Sequence, residues 1–448
     1  MSDKVTMKEK ISFALANLGN IPIQTILGSY LLIFYTNVIG LNPAACATLF
    51  LIARVMDALK DPFMGFLIDR LPTTKHGHFR PTLIVGTALC SLNFLLIWFA
   101  PLMATSGKLA IAYVTYLMIG VLFPVMDISL NSMLPVMTLD MEERSALSAQ
   151  KGFVYTLGSF LVNLSAPVII GNVSEKEGYI TLVLIATAVI AGCSIAGALG
   201  LKERVQAQPG KDSYQIKDLF RILGQKPVAI TFSAALIYMI GKYLMNTTLA
   251  YFFTYVIGNL KLMSVVSVVQ LCALLPATLL VGALIRKIGR KKAYMLSLTL
   301  IGTAPLLRLI DVTSIPILLA AMAIAGFADG LCMPLTYGIQ ADNTDYVELE
   351  LGYRADAAIA ALSGFITKCG MGVGGAIPGY ILEAAGFRGE AQTQPPQVRT
   401  ALIVCTIAVP AVMCVAGALL FGAYPLTKER LAEQVERVNA AKKGERFF

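Results

Sequence analysis

Four charged residues stand within about two helical turns of an otherwise apolar segment: Arg54, Asp57, Lys60 and Asp61. At about 100° per residue, Arg54, Asp57 and Asp61 fall within about 60° of one another on one helix face. Lys60 lies about 60° beyond Asp57 and can reach the same carboxylate. A charge at the bilayer centre costs at least about 2.5 kcal/mol unless it is paired or faces water. The cluster therefore predicts a membrane helix that lines a polar cavity, as in an ion or substrate pathway.

Asp57 and Asp61 have the i, i+4 spacing that places two carboxylates on one helix face. Two such groups can coordinate a hard cation through their oxygen atoms. They can also share a proton, because like charges a few ångströms apart raise the pKa of one of them. A purely structural salt-bridge cluster with Arg54 and Lys60 is the alternative interpretation.

The composition predicts a polytopic α-helical membrane protein. Of 448 residues, 56% are hydrophobic and 14% are charged, and apolar runs of about 20–30 residues recur along the whole chain. The eight cysteines lie in apolar runs without metal-type spacing and are interpreted as packing residues. No serine–histidine, HExxH, P-loop or dinucleotide pattern occurs in a usable context, so we predict no enzyme, no cofactor and no ATP-driven transport.

We predict an all-α membrane protein with twelve transmembrane helices in two pseudo-symmetric six-helix bundles. The predicted domains are bundles at 1–201 and 228–423, a cytoplasmic linker at 202–227 and a cytoplasmic tail at 424–448. The twelve spans are placed near 10–38, 44–69, 82–103, 109–135, 150–172, 178–201, 228–257, 263–285, 293–311, 314–341, 357–385 and 399–423.

Two motifs recur in the two halves at almost the same offset. FYTNVIG (Phe34–Gly40) returns as FFTYVIG (Phe252–Gly258), and GFLIDR from Gly65 returns as GALIRK from Gly282. Because the first motif includes polar and glycine positions, chance similarity of apolar segments is the weaker explanation. An internal repeat in a twelve-span chain indicates a two-bundle transporter.

Most lysine and arginine residues fall at the termini and in the even-numbered loops of this topology. This asymmetry predicts that both termini are cytoplasmic. We also predict that the chain lies in the plasma membrane. The formal charge of +9 then sets orientation and requires no nucleic acid partner. Loop residues that could form cytoplasmic gates, or merely follow the positive-inside rule, are Asp69, Arg70, Arg80, Arg286 and Arg290.

The chain resembles the glycoside–pentoside–hexuronide:cation symporters (melibiose permease-like) of the major facilitator superfamily. The resemblance rests on YTNVIGLNPAACATLFLIARVMDALKDPFMGFLIDR, MDISLNSMLPVMTLD, YFFTYVIGNL, ADNTDYVELELGYR and the lysine of FITKCG. It covers nearly the whole chain and implies a monomeric sugar symporter in the bilayer that works by alternating access.

In the resembled family the DxxxD pair, here Asp57 and Asp61, forms the cation site. Two positions depart from the members that use sodium: Lys60 replaces a neutral amide, and Pro124 replaces a hydroxyl residue. The Lys60 ammonium can occupy the place of a cation beside Asp57. We therefore favour proton over sodium as the coupling ion, with Na+ at this pair and uncoupled transport as alternatives.

The resemblance also assigns the substrate site. Asp127 accepts hydrogen bonds from sugar hydroxyls, Lys151 is a basic residue that meets the sugar, and Asn246 lies near the cavity. A carboxylate beside a cation suits a polyol. Lys368, midway along the eleventh span, is implied to couple ion and sugar with Arg54 and Lys60. We expect its partners to be Asp57, Asp61 or Asp127.

Each of these assignments has a structural alternative. Asp127 and Lys151 could pair only with each other, Lys151 could be a surface anchor, and Asn246 could bond neighbouring helices. Ile21, Asn131 and Met333 replace acidic and aromatic sugar-binding positions of the family. A melibiose-type galactoside is therefore disfavoured, and a hexuronide is left open. The same fold could instead transport a lysolipid or an amino-acid derivative.

Overall fold

The computed structural model describes residues 5–69, 74, 77–138, 140–204, 216–352, 355–389, 391, 394–428 and 430. Helices form all the regular structure of these residues, apart from one bridge between Thr74 and Gly77. The prediction of an all-helical fold is confirmed. The first six helices are α1 (Met7–Ile33), α2 (Pro43–Asp69), α3 (Phe79–Met103), α4 (Lys108–Met137), α5 (Met141–Gly171) and α6 (Glu175–Gly200). The others are α7 (Ile216–Leu223), α8 (Lys226–Phe252), α9 (Leu262–Thr303), α10 (Ile315–Leu351), α11 (Asp356–Ala384), α12 (Pro396–Ile403) and α13 (Val409–Phe421).

Ten of the described helices are long and apolar enough to cross a membrane. Helix α9 contains a break at Gly289, whose φ of 79° is a conformation that favours glycine. The two parts of α9 correspond to the eighth and ninth predicted spans. Helix α2 has the length of a span, 27 residues, but carries the four charged residues Arg54, Asp57, Lys60 and Asp61. These lengths and compositions describe a multi-pass membrane protein.

The repeated motif has the same local structure in both copies. Helix α1 continues into a π-helical turn at Phe34–Val38, and α8 continues into one at Phe253–Ile257. Gly40 and Gly258 follow these turns, and each has a φ of 77°. Because only glycine adopts this left-handed conformation readily, the glycine of VIG stops the helix in both halves.

Helix α7 lies within the stretch 202–227, where the sequence analysis expected only a polar linker. Leu219, Ile222 and Leu223 stand at helical spacing in this polar segment, and they pack against Val228 and Phe232 of α8. These three apolar residues form a narrow stripe in an otherwise polar segment, which is too short to indicate a helix from sequence alone. The stripe buries against the second half of the chain, which is what stabilises so short a helix.

The chain divides into two compact units. The first unit comprises Met1–Gly210, Gly258–Val265 and Gly379–Val398. The second comprises Lys211–Ile257, Val266–Pro378 and Arg399–Phe448. The first unit therefore contains two short segments of the second sequence half, whereas the second unit contains only residues that follow the first half.

In the first unit, small residues let α1 and α6 pack backbone against backbone. A Cβ atom on Gly197 would lie 2.5 Å from the Ala16 nitrogen, and one on Gly19 would lie 2.1 Å from the Ser194 hydroxyl. Close approach of this kind is how helices associate in lipid, where hydrophobic burial offers little driving force. The packing fixes the rotation of α1 and thereby the direction of its polar residues.

In the second unit, buried polar residues join three elements. The Tyr424 hydroxyl donates to Asn343 Oδ1 at 2.9 Å, and Asn343 Nδ2 donates to the Thr231 hydroxyl at 3.0 Å. Asn343 is fully buried, and both of its amide atoms are satisfied. The network ties the chain after α13 to α8 and α10.

Arg308 lies in the 3₁₀ turn Ala304–Leu309 after α9 and is fully buried. Its guanidinium lies over the Phe252 ring, 4.0 Å from the centroid. Among the described residues, none of its three nitrogen atoms has a hydrogen-bond partner. A cation–π contact is worth about 2 kcal/mol when desolvated, which is less than the cost of burying a charge without an ion partner.

We expect Arg308→Met to raise the free energy of unfolding by about 1–3 kcal/mol, because an apolar side chain of similar length removes the unpaired charge. Thermal unfolding of the detergent-solubilised protein measures this change. Arg399→Met is the control, since Arg399 is exposed and its replacement should have an effect within about 0.5 kcal/mol. A lower melting temperature for Arg308→Met would contradict the assignment of Arg308 as unpaired.

Candidate functional site

Asp57 lies between two cations on α2. Arg54 Nη1 is 3.1 Å from Asp57 Oδ2, and Lys60 Nζ is 2.5 Å from Asp57 Oδ1. Both pairs have the i, i+3 spacing of neighbours on a helix surface. Only 13% of the Asp57 side chain is exposed. Each carboxylate oxygen therefore already accepts from a cationic donor in a poorly solvated position.

Helix α4 packs directly on this ion-pair cluster. A Cβ atom on Gly120 would lie 2.6 Å from Lys60 Nζ and 2.7 Å from Asp57 Oδ1, so glycine leaves the room that the charges need. The Tyr116 ring of α4 lies 5.0 Å from the Phe50 ring of α2. The cluster is thus enclosed by a second helix on one side.

The structure brings together Arg54, Asp57 and Lys60, three of the four predicted residues. The side chain of Asp61 lies outside the described residues, so the i, i+4 carboxylate pair stays a prediction. A metal ion that bound Asp57 through Oδ1 would have to displace the Lys60 ammonium or share that oxygen with it, and one that bound through Oδ2 would meet Arg54. This geometry is less favourable to a sodium ion than to a proton, because the ion would lie beside the Lys60 ammonium.

Asp127, on α4, accepts hydrogen bonds from two amides. Asn20 Nδ2 of α1 donates to Oδ1 at 2.6 Å, and Asn131 Nδ2, one turn along α4, donates to Oδ2 at 3.0 Å. Lys151 Nζ of α5 donates to Asn131 Oδ1. The predicted Asp127 and Lys151 are therefore connected through Asn131, and the four residues form a continuous chain of donors and acceptors across three helices.

Sequence reasoning missed Asn20 and treated Asn131 only as the replacement of an aromatic residue. Ile21, which replaces an acidic position of the family, is buried and lies against Gly158 of α5. A Cβ atom on Gly158 would lie 2.6 Å from Ile21 Cδ1. Asn20 is an amide within an apolar span, and that alone was a signal, because such groups need partners in the membrane. Its partner could not be found without the packing of α1 on α4.

The second unit holds a polar cluster that the sequence analysis did not select. Lys242 Nζ of α8 is 2.7 Å from Asp329 Oδ1 of α10, and the Tyr238 hydroxyl donates to the same oxygen at 3.0 Å. The ammonium also lies 5.6 Å from the centroid of the Tyr238 ring. Asn246 stands one helical turn beyond Lys242 on α8 and is half-buried. Lys368 is half-buried on α11. The roles predicted for Asn246 and Lys368 stay predictions.

The predicted gating residues make different contacts. Arg290 pairs with Asp342 and donates to the Gly338 carbonyl at 3.0 Å, so α9 and α10 are joined at the start of the second part of α9. Arg80 donates to the Leu199 carbonyl at 2.6 Å. The Arg286 side chain is exposed. Arg70 and the side chain of Asp69 lie outside the described residues. The gating role itself stays a prediction.

Glu203, just beyond α6, caps the N-terminus of α3. Its carboxylate accepts the backbone N–H groups of His78, Phe79 and Arg80, each at 2.8 Å. These are the donors that a helix start leaves without intrahelical partners, and the helix dipole favours a negative charge there. The cap fixes the start of α3 to the end of α6.

Glu9 and Arg204 form a second contact at this end of the first unit. Arg204 Nη2 lies 2.9 Å from Glu9 Oε1 and 2.7 Å from Oε2, while Glu9 also completes a capping box with Thr6 at the start of α1. Arg204 further donates to the Met137 carbonyl at 3.3 Å. The carboxylate–guanidinium contact joins α1, α4 and the chain after α6.

Comparison with known proteins agrees with this architecture. The family described as MFS/sugar transport protein matches residues 12–428. An isoprimeverose transporter of Lactiplantibacillus pentosus is 30% identical over 86% of this chain and 81% of its own length. A glucuronide carrier protein homolog of Escherichia coli (strain K12) is 28% identical over 99% of this chain and 98% of its own length.

A crystal structure of the nucleoside transporter NupG (D323A mutant) has the same fold, with a TM-score of 0.67. It is 12% identical, and the match covers 92% of this chain and 100% of that one. A putative glycoside/cation symporter of E. coli is 28% identical over 96% of this chain and 94% of its own length.

The fold and the polar residues within its apolar helices define a multi-pass membrane transporter rather than an enzyme. The chain belongs to the MFS/sugar transport family, and within the major facilitator superfamily to the glycoside–pentoside–hexuronide:cation symporters. The resemblance drawn from the sequence motifs is confirmed.

We expect Glu203→Gln to lower the free energy of unfolding by about 1–2 kcal/mol, because the amide keeps one acceptor oxygen but loses the charge that favours the α3 start. Thermal unfolding in detergent measures the loss. Lys202→Gln is the matched control, since its exposed neighbouring side chain should contribute little. Equal melting temperatures for Glu203→Gln and wild type would show that the cap does not stabilise the unit.

Proposed function

We propose that this protein is a symporter that carries a glycoside, pentoside or hexuronide together with a proton by alternating access. It acts as twelve spans in two bundles, in the plasma membrane, with both termini cytoplasmic. The observation that carries the proposal is the connected set Asn20, Asp127, Asn131 and Lys151. A sugar offers hydroxyls that both donate and accept, and this set offers carboxylate, amide and ammonium groups in one place.

The exposure of this set supports a role in binding. Asn131 is exposed and Asp127 is half-buried, although both lie in the inner turns of a 30-residue apolar helix. An exposed amide and a half-buried carboxylate within an apolar span are stable where they face water rather than lipid. Names of the relatives agree, since they refer to isoprimeverose, a glucuronide and a glycoside.

The ion-pair cluster on α2 favours a proton as the coupling ion. Asp57 Oδ1 is already occupied by an ammonium at 2.5 Å, and a sodium ion would meet the charge of Lys60 at the same place. A proton needs no coordination shell and can bind a carboxylate whose cationic partner moves away. Asp57 and Asp61 would then carry the proton, and Arg54, Lys60 and Lys368 would respond to it.

The test is proton movement in de-energised vesicles on addition of neutral glycosides, pentosides and hexuronides, with and without sodium. We expect one sugar class to alkalinise the medium independently of sodium. Asp127→Asn should reduce uptake of that sugar at least about tenfold, because hydrogen bonds to a charged acceptor contribute about 1.5–3 kcal/mol. The control is Asp311→Asn, which alters an exposed aspartate beyond the spans.

Sodium-stimulated uptake without proton movement would overturn the proton part of the proposal. Sugar uptake with neither proton movement nor a sodium effect would indicate uncoupled transport. Uptake of no member of the panel would overturn sugar transport itself. Full uptake by Asp127→Asn would remove Asp127 from the substrate site.

We expect Lys60→Asn to make uptake sensitive to sodium, because the substitution frees Asp57 Oδ1 and adds an amide oxygen that can bind a hard cation. Sodium should lower the KM for the sugar about fivefold or more, the usual size of coupling between two sites. Initial uptake rates at graded sodium concentrations measure this effect.

The matched control is Lys202→Asn, which makes the same substitution at an exposed lysine outside the cluster. Uptake by this control should stay as insensitive to sodium as that of wild type. If Lys60→Asn also stays insensitive while it still transports sugar, Lys60 is not what excludes sodium from the site.

A further inference from the structure

The cluster of Tyr238, Lys242 and Asp329 in the second unit has no part in the function proposed so far. Lys242 is the seventeenth residue of α8, and Asp329 lies in the first half of α10, so both are well inside apolar spans. Yet 38% of the Lys242 side chain and 30% of the Asp329 side chain are exposed. Charges exposed at this depth are tolerated only where they face water, so the pair lines an aqueous surface of the second unit.

The cluster repeats a contact of the first unit. Asn20 and Tyr238 stand at the same distance before the repeated motif, which begins at Phe34 in one half and at Phe252 in the other. Asn20 donates to Asp127 Oδ1 at 2.6 Å, and Tyr238 donates to Asp329 Oδ1 at 3.0 Å. In each half, therefore, the residue at this position of the repeat donates a hydrogen bond to an aspartate. That aspartate lies on the fourth predicted span of its half.

The remaining hydrogen-bonding capacity of the cluster suits a hydroxyl group. Lys242 and Tyr238 both donate to Oδ1 of Asp329, and among the described residues Oδ2 of this half-buried side chain has no donor and remains an acceptor. The Lys242 ammonium has three N–H donors and uses one of them on Asp329. An acceptor oxygen and ammonium donors thus lie side by side on the aqueous surface.

This charge balance disfavours an anionic ligand. The Lys242 charge is matched by Asp329 at 2.7 Å, and a second carboxylate would be repelled by the first. A hydroxyl group can donate to Asp329 Oδ2 and accept from Lys242 at no net charge cost.

We infer that Tyr238, Lys242 and Asp329 form a hydroxyl-binding subsite for the transported sugar within the second unit. Asp329 and Lys242 contact the sugar, and Tyr238 positions Asp329. The inference rests on the proposed function, which supplies the sugar. It assigns an uncharged hydroxyl to this subsite, so that any carboxylate of a hexuronide binds elsewhere.

The experiment measures KM and maximal rate of uptake for the transported glycoside and for each of its mono-deoxy analogues. Four proteins are compared: wild type, Asp329→Asn, Lys242→Met and the control Asp311→Asn. We expect Asp329→Asn to raise the KM for the parent sugar about tenfold, as for loss of a charge-assisted hydrogen bond. For wild type, the KM for one deoxy analogue should exceed the KM for the parent sugar by a similar factor. For Asp329→Asn, the KM for that analogue should exceed the KM for the parent sugar by no more than about twofold.

This non-additivity separates a sugar contact from a structural ion pair. If Asp329 only anchors α8 to α10, every deoxy analogue keeps its wild-type KM ratio in Asp329→Asn, and that result overturns the inference. An unchanged KM in both cluster variants also overturns it. If Asp329→Asn does not fold, the double variant Lys242→Met/Asp329→Asn removes both charges together, and the same KM ratios decide.

The outcomes also separate this inference from the proposed function. Absence of uptake of every glycoside by wild type overturns the proposed function and the inference with it. The inference alone is overturned if wild type takes up the sugar, Asp127→Asn loses uptake, and every deoxy analogue keeps its wild-type KM ratio in Asp329→Asn.

Discussion

A charged side chain within a bilayer is stable only beside a partner or beside water, and this constraint organises both units. Asp57 meets it with Arg54 and Lys60 on its own helix. Asp127 and Asp329 meet it with donors from other helices. Asp127 and Asp329 therefore tie helices together, and both are partly exposed within apolar spans. In a transporter those two properties belong together, because a polar substrate must pass where the helices meet water.

The internal repeat gives this constraint a common geometry. Equivalent positions of α1 and α8 hold Asn20 and Tyr238, and each donates to an aspartate on another helix of its own unit. The π-helical turns and the left-handed glycines that follow α1 and α8 are also shared. The two donor side chains differ while the contact recurs, which is expected when the backbone arrangement, rather than residue identity, places a donor beside an aspartate within an apolar span.

The α2 cluster places a lysine on a carboxylate oxygen that could otherwise accept from a cation. With Lys60 at 2.5 Å, Asp57 has a cation from the protein itself on the oxygen that an ion would use. Gly120 on α4 leaves room for this arrangement, because a Cβ atom there would require the Lys60 and Asp57 side-chain tips to shift. Ion selectivity would thus follow from the space and charge that neighbouring helices leave around one acid.

The sequence by itself determined the class of protein, its helical fold and its family, and it placed Arg54 and Lys60 within reach of Asp57. Apolar length, motif order and i, i+3 geometry are local properties that need no knowledge of packing. Only the tertiary structure decided that Asn20 reaches Asp127, that Asn131 links it to Lys151, and that Lys242 reaches Asp329. Helices that are apolar on every side carry no periodic signal for their rotation, so close packing at glycines sets which polar groups meet.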